Sequence, residues 1–258
     1  TANTYPRLGG VRAYWTEEAA TLTESEPTFE TIRLVAHKLG GYTQASNELM
    51  ADNPALEMML RELFASAIAL YEDWAFINGN GVAQPLGVLK SPCLVTEVAA
   101  SSTFVLSDAA NMLSKFHSRV PNGGVWFMHP VLIKLLVVLA DGSGAANNLI
   151  WMNNGQVQGA PPMTLLGKPI VFTESMPVMP PSTSATTIGG VLLADWSYYL
   201  IGDRGGINIG YSEHFAFTSD QATWRFTKRT DGQPWLKQAI YLVDGTNTVS
   251  PFVSLSGS

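Results

Sequence analysis

Charge is scarce in this sequence. Asp, Glu, Lys and Arg make up 14% of its 258 residues, against about 25% in an ordinary soluble domain. A monomer surrounded by water would carry more, whereas a chain that hides surface against copies of itself needs less. The formal net charge is −6, and no run of Lys or Arg makes the basic stripe of a protein that grips phosphates. Cysteine is nearly absent as well. Cys93 stands alone, which excludes an intramolecular disulfide and a cysteine-cluster metal site. It is expected as a small buried hydrophobe. No apolar run reaches membrane-spanning length; the longest, Val131 to Ala140, is broken by Lys134. No secretory leader pattern is visible.

Catalytic motifs are missing too. Gly142-Ser143-Gly144 lacks the spacing of a nucleophile elbow. Gly167-Lys168 is followed by Pro169, where a phosphate loop needs Ser or Thr, and the preceding Gly159 is too far away. Gly79-x-Gly81 lacks the third glycine of a dinucleotide fingerprint and follows a helix instead of a strand. His37, His117, His129 and His214 are scattered, without metal-ligand spacing. His129, just before Pro130, is expected to cap a helix. No catalytic residue, metal ligand or cofactor site is therefore expected, and a soluble α/β enzyme is disfavoured.

What the sequence does have is one long stretch, Pro54 to Gly87. Asn53 is a candidate cap, and Pro54 suits the first helical position. Apolar residues then recur at Leu56, Leu60, Leu63, Ala67, Leu70, Trp74 and Ile77, in steps of four and three. That spacing predicts one helical stripe that forms the core face of a single long helix. Met59, Phe64, Ile68 and Tyr71 widen it, and Asn78-Gly79 is the expected stop, with glycine free to turn left-handed.

Around this stretch, Thr1 to Gly10 reads as an extended arm. Val11 to Ser46 reads as strands, with Val11 to Trp15 and Phe29 to Ala36 as the arms of a ribbon. A two-stranded ribbon with a long tip cannot build its own core and needs an outside surface. Its tip carries Glu17, Glu18, Glu24, Glu26 and Glu30, with no base between Arg12 and Arg33. Basic partners are expected in Arg225, Lys228 and Arg229, beside Asp231, near a turn. That turn, Thr230 to Pro234, is expected to join strands Asp220–Arg229 and Trp235–Val243, because Asp-Gly is a strong hairpin signal.

Between these parts, helices are predicted from Ser107 to Val120 and from Val131 to Ala140, with a buried strand Val125 to Met128 between them. Asn147 to Leu166 is predicted as a long loop, and strands are predicted at Leu166–Phe172 and Val191–Ala194. Thr246 to Ser258 reads as a polar tail on the surface.

The order Ser46-Asn47-Glu48-Leu49-Met50, long helix, Asn78-Gly79-Asn80-Gly81, then Gln84-Pro85-Leu86-Gly87-Val88-Leu89 resembles the major capsid protein of tailed bacteriophages, the Hong Kong 97-type fold. The helix–turn–strand–His-Pro-helix order, Leu165-Leu166-Gly167-Lys168-Pro169-Ile170-Val171 and the run Arg204 to Gly232 are similar to the same family. The resemblance implies an α+β fold. Its parts are an N-terminal arm (1–10), an extended loop with flanking strands (11–46) and a peripheral domain with the spine helix (47–105). A mixed α/β axial domain (106–205), then return strands and a tail (206–258), complete it. It implies a structural subunit, not an enzyme, that forms pentamers and hexamers of an icosahedral shell around double-stranded DNA. Trp15 and the five loop acids would touch a neighbouring copy, as would Arg225, Lys228, Arg229 and Asp231.

Further partners implied are a portal protein, a scaffolding segment or protein, a maturation protease and decoration proteins, but no membrane. The site implied is the virion capsid, reached from host cytoplasm during assembly. The start at Thr1 leads to the expectation of a longer precursor. Some relatives cross-link a loop lysine to an asparagine; Arg12 to His37 holds no lysine, so that chemistry is not expected. The same fold also serves encapsulin-like compartments that hold an enzyme cargo, the alternative reading.

Overall fold

A computed structural model describes residues 15–18, 21, 24, 31–52, 55–99, 104–120, 123–137, 152–153, 156–157, 164–178, 188–242 and 246–256. In chain order the elements are β1 (His37–Ser46), α1 (Asn47–Asp52), α2 (Leu56–Asn78), β2 (Val95–Val98), α3 (Leu106–Ser114), β3 (Val125–Met128) and α4 (Ile133–Val137). There follow β4 (Met152–Asn153), β5 (Gln156–Val157), β6 (Thr164–Leu165), β7 (Lys168–Phe172), β8 (Ile188–Ala194), β9 (Tyr199–Asp203) and β10 (Asn208–Ala216). The last are β11 (Gln221–Pro234), β12 (Ile240–Tyr241), β13 (Thr248–Val249) and β14 (Phe252–Ser256). Helices and mostly antiparallel sheet give the α+β class. The described residues fall into two compact units, one from 34–91 and 199–234, the other from 1–33, 92–198 and 235–258.

The first unit is a four-stranded sheet with the spine helix on it. β11 is its centre. It pairs antiparallel with β1 along ten residues, from His37↔Thr230 to Ser46↔Gln221. On its other side it pairs with β10 and then with β9. The expected hairpin is therefore corrected: Thr230 to Pro234 is not a turn but the C-terminal end of β11, matched to β9 from Asp203 back to Tyr199. The reason lies in Gly232. A Cβ there would sit 2.7 Å from the Tyr199 ring and 3.0 Å from Phe76. This glycine makes room for aromatic rings, and its φ is not positive. The chain that follows is a strand only at Ile240–Tyr241, not from Trp235 to Val243.

Helix α2 lies on the sheet through Phe64, whose ring stacks on Phe226 with centroids 4.6 Å apart. Its buried residues are Phe64, Ile68, Ala75 and Ile77. Ile77 is buried as predicted, whereas Phe64, Ile68 and Ala75 lie one residue on from predicted stripe positions, or about 100° around the helix. Leu56, Leu60 and Ala67 are half-buried. Leu63, Leu70 and Trp74, expected in the core, are 52%, 44% and 45% exposed in the single chain. A helix with this many apolar residues has two candidate faces, and the aromatic fit to Phe226 selects one. Asn53 and Pro54 lie outside the described residues; Ala55 precedes the helix and makes no side-chain cap.

At the helix end, Gly79 donates its N–H to the Ala75 carbonyl at 2.8 Å with φ −55°, so it is not left-handed as expected. It is needed for space: a Cβ would meet the Pro85 carbonyl oxygen at 2.2 Å. Asn80 Oδ1 then accepts from the Val82 N–H and the Gln84 amide. Leu86 N–H donates to the Gly232 carbonyl at 2.8 Å, and the Tyr199 hydroxyl donates to the Leu86 carbonyl at 2.9 Å. The Asn-Gly-Asn-Gly and Gln-Pro-Leu-Gly runs are thereby a pinned loop between helix end and central strand.

The second unit holds a six-stranded sheet in the order β2-β14-β8-β3-β7-β6. Trp126 and Met128 of β3 are fully buried, as predicted for Val125–Met128, and the Trp126 indole donates to the Leu165 carbonyl at 3.0 Å. They pack with Met112 of α3, Leu132 and Leu136, Ile170, Leu193, Val253 and Leu255. Cys93 is buried here too. Helix α3 ends at Ser114, six residues before the predicted end, because Phe116 bridges to Ser250 in extended conformation. His129 caps the next helical turn, its Nδ1 accepting from the Val131 N–H at 3.2 Å. Leu166 and Gly167, predicted inside a strand, have φ of 48° and 76° and form the tight turn between β6 and β7.

The C-terminal tail needs the largest correction. β14 is not on the surface; every residue from Phe252 to Ser256 is buried. It runs parallel to β2 and antiparallel to β8, inside the sheet. Its serines looked polar in sequence, but Ser254 donates its hydroxyl to the Val191 carbonyl and Ser256 to the Glu97 carbonyl. The residues predicted as return strands therefore divide: β10 and β11 lie with the spine helix, and 235–256 lie in the other unit.

The predicted ribbon is not a ladder where it is described. Residues 31–36 alternate in burial, with Ile32, Leu34 and Ala36 half-buried, yet the strand begins only at His37. Residues 1–14 and 25–30, including Glu26, Phe29 and Glu30, lie outside the described residues, as does most of the predicted 147–166 loop. Within that loop Met152-Asn153 pairs with Gln156-Val157.

Candidate intersubunit surface

The sequence-predicted basic group comes apart in the structure. Lys228 Nζ is 2.7 Å from Glu72 Oε1 and 3.7 Å from Asp203 Oδ1. It is an internal cation that ties β11 to α2. Asp231 is buried and accepts from the Val35 N–H at 2.5 Å and from the Gly232 N–H at 2.8 Å. Only Arg225 and Arg229 of the four are exposed.

Arg229 instead joins two cations distant in sequence, Lys38 and Arg204. Lys38 sits opposite it on β1. Arg204 donates its backbone N–H to the Arg229 carbonyl at 2.9 Å. Lys38, Arg204, Arg229 and the Gly205-Gly206 turn line one hollow. No short-range signal reveals this, because strand register alone brings Lys38 and Arg229 together across the chain.

A second hollow of about 130 Å³ lies between α2, β1 and the pinned loop. Tyr71, Trp74, Pro85, His37 and Lys38 line it, with Thr230 also in its wall. Lys38 borders both hollows. Nearby, burial and the Asp231 charge push the Tyr199 phenol well above its usual range. That tyrosine therefore stays a neutral donor.

Of the acidic segment, Trp15, Glu17, Glu18 and Glu24 are described, and all are exposed; Trp15 is 105% exposed. Glu26 and Glu30 lie outside the described residues. Among the described residues, no group of three His, Cys, Asp or Glu could hold a metal ion, and no helix is long and apolar enough to cross a membrane.

The geometry is thus one of surfaces: an exposed apolar helix face, a basic hollow and an exposed acidic segment. The family model described as the phage capsid family matches residues 2–245. The chain belongs to the phage capsid family. The capsid of a native GTA particle is similar in structure, with a TM-score of 0.76, 17% identity, and 97% of this chain and 83% of that one covered. A chain from Microbacterium phage Oxtober96 is similar at TM-score 0.68, 16% identity and 97% and 82% coverage. One from Gordonia phage Cozz gives 0.63, 16%, and 96% and 78%. No curated protein matches the chain. This capsid chain is a structural shell protein of the tailed-phage type, and its fold is that of other phage capsids.

Proposed function

We propose that this capsid protein forms pentamers and hexamers of an icosahedral shell that encloses a double-stranded DNA genome. The unit that carries α2 is the peripheral domain, and the unit with the six-stranded sheet is the axial domain. Copies of the chain are its main partners; a portal protein, scaffold, maturation protease and decoration proteins act on the same shell. Assembly takes place in host cytoplasm.

The observation that carries this reading is the apolar stripe of Met59, Leu63, Leu70 and Trp74, exposed on the longest helix of a capsid-family chain. Exposed apolar patches of this kind mark interaction surfaces. Charge complementarity supports the contact between copies: the acids at Glu17, Glu18 and Glu24, continued in sequence by Glu26 and Glu30, face toward another copy's Lys38, Arg204, Arg225 and Arg229. Such complementarity sets register more than affinity.

Negative-stain microscopy of the purified protein after size-exclusion chromatography tests the proposal. Closed shells or ring-shaped capsomers are expected. A monodisperse monomer at high concentration, both alone and with an added N-terminal extension, would overturn it.

A further inference from the structure

The two faces of β11 treat their cations differently. Side chains alternate between the faces of a strand. Lys228 turns to Glu72 of α2, so Arg229 stands on the face away from that helix, with its ladder partner Lys38 beside it. Arg204 adjoins Arg229 on the other side, through its backbone hydrogen bond. All three side chains are exposed and line one hollow. Neighbouring strands lie about 4.8 Å apart, so the three cations spring from backbone within about 10 Å. Among the described residues none of them has an ion pair. The acid next to Arg204 in sequence, Asp203, lies 3.7 Å from Lys228 Nζ instead.

The rest of the hollow is rich in donors. Among the described residues, neither Gly205 nor Gly206 gives its N–H to a backbone carbonyl. A Cβ on either would meet nothing within 4 Å, so the turn is bare of side chains. Asn208 and Thr227 add an amide and a hydroxyl to the wall, and no Asp or Glu lines it among the described residues. In a chain of net charge −6, this is a local excess of positive charge. Like charges held so close repel, and a bound anion relieves the repulsion. The next cation on the same face of β11, Arg225, is four residues away, about 13 Å along the strand. The charge is gathered at one end of the face and does not form a track, which suits a compact ligand better than a long strand.

We infer that this hollow is a binding site for a small oligophosphate, a free anion of two or three linked phosphate groups. Arg204 and Arg229 grip phosphate oxygens with their guanidinium forks, and Lys38 adds a third positive charge. The Gly205 and Gly206 N–H groups donate to the remaining oxygens, as bare glycine turns do in other anion sites. The site belongs to the single subunit and does not need a neighbouring copy. In the shell proposed above the same cations meet a neighbour's acids, so the anion competes with that contact and binds the unassembled subunit.

Equilibrium dialysis of the unassembled full chain against radiolabelled tripolyphosphate tests the site. One saturable site is expected. Arg204→Gln and Arg229→Gln should each weaken it about tenfold. Gly206→Glu, which puts a carboxylate into open space in the hollow, should abolish it. Arg225→Gln removes the same charge from the same sheet face and should change affinity less than about twofold, because exposed charges that far away are screened. All four substituted positions lie at the surface or beside open space, so thermal melts should match the parent. Absence of saturable binding overturns the site and, if shells form normally, leaves the shell reading standing. An equal loss with Arg225→Gln would mean a diffuse field and also overturn it. Citrate, with comparable charge on carboxylates, should displace tripolyphosphate poorly; equal displacement overturns phosphate as the ligand. A DNA duplex that binds more tightly, and depends on Arg225 as much as on Arg229, would make the face a nucleic-acid track and overturn the compact ligand.

Discussion

Lys228 Nζ lies 2.7 Å from the Glu72 carboxylate and donates to its Oε2, although 156 residues of chain separate them. Both side chains are mostly buried. This pair fastens the central strand to the spine helix and removes Lys228 from the surface. Lys228→Ala leaves Glu72 charged and uncompensated, at a cost of about 3 kcal/mol. Replacing both with Met should be nearly neutral. Urea unfolding of the unassembled subunit checks both. Equal destabilisation by the single and double changes would show that the pair is not what matters. Arg229→Glu, in contrast, should leave the melt unchanged and weaken shell formation.

Neighbouring helix residues should behave oppositely. Phe64→Ala removes the ring stacked on Phe226 and should cost about 3–5 kcal/mol. Leu63 is half open to solvent in the single chain, so Leu63→Ala should cost under about 1 kcal/mol in the unassembled subunit. Its effect should appear in assembly yield. A Leu63→Ala subunit destabilised as much as Phe64→Ala would restore Leu63 to the core.

Gly232→Ala tests the corrected hairpin. The added methyl meets Tyr199 and Phe76 at 3.0 Å or less, and overpacking of this kind costs about 1–3 kcal/mol. A turn glycine would instead tolerate Asn, so Gly232→Asn should be worse than Gly232→Ala. The reverse order in thermal melts would argue for a turn after all.

Asp195 gives a pH signature. Burial pushes its carboxyl up, but hydrogen bonds from Ser197, Ser118 and the Arg119 N–H outweigh this and hold it below its usual value. A lowered folded value contributes stability that is present above the unfolded value, about 3.9, and is lost as pH falls through the folded one. Asp195→Asn should therefore cost about 2 kcal/mol near pH 7. The gap from the parent should close as pH drops below about 4. A gap that stays constant down to pH 3 would mean the carboxylate charge is irrelevant.

Deleting residues 251–258 removes β14 from between β2 and β8. The six-stranded sheet loses one of its inner strands, and cooperative unfolding of that unit should disappear from calorimetry. An unchanged melt would return these residues to the surface tail that their serines suggested.

The sequence by itself determined the elements whose signals are local. The 3.6-residue period placed α2 to within two residues of Leu56–Asn78. The apolar run Val125–Met128 became the buried strand, and His129 before Pro130 became a cap. The ordered motifs around Asn78 to Leu89 pointed to the family. What only tertiary structure decided was which face of a doubly apolar helix turns inward, and whether Asp231-Gly232 bends or extends. It also decided whether serines among Phe252, Val253 and Leu255 mean surface or core. Each depends on partners far away in sequence: Phe226 for the helix, Tyr199 for the glycine, and Val191 and Glu97 for the serines. Periodicity records how apolar a face is, but packing and hydrogen-bond satisfaction are properties of pairs. A pair set by strand register, such as Lys38 and Arg229, leaves no mark in the local sequence.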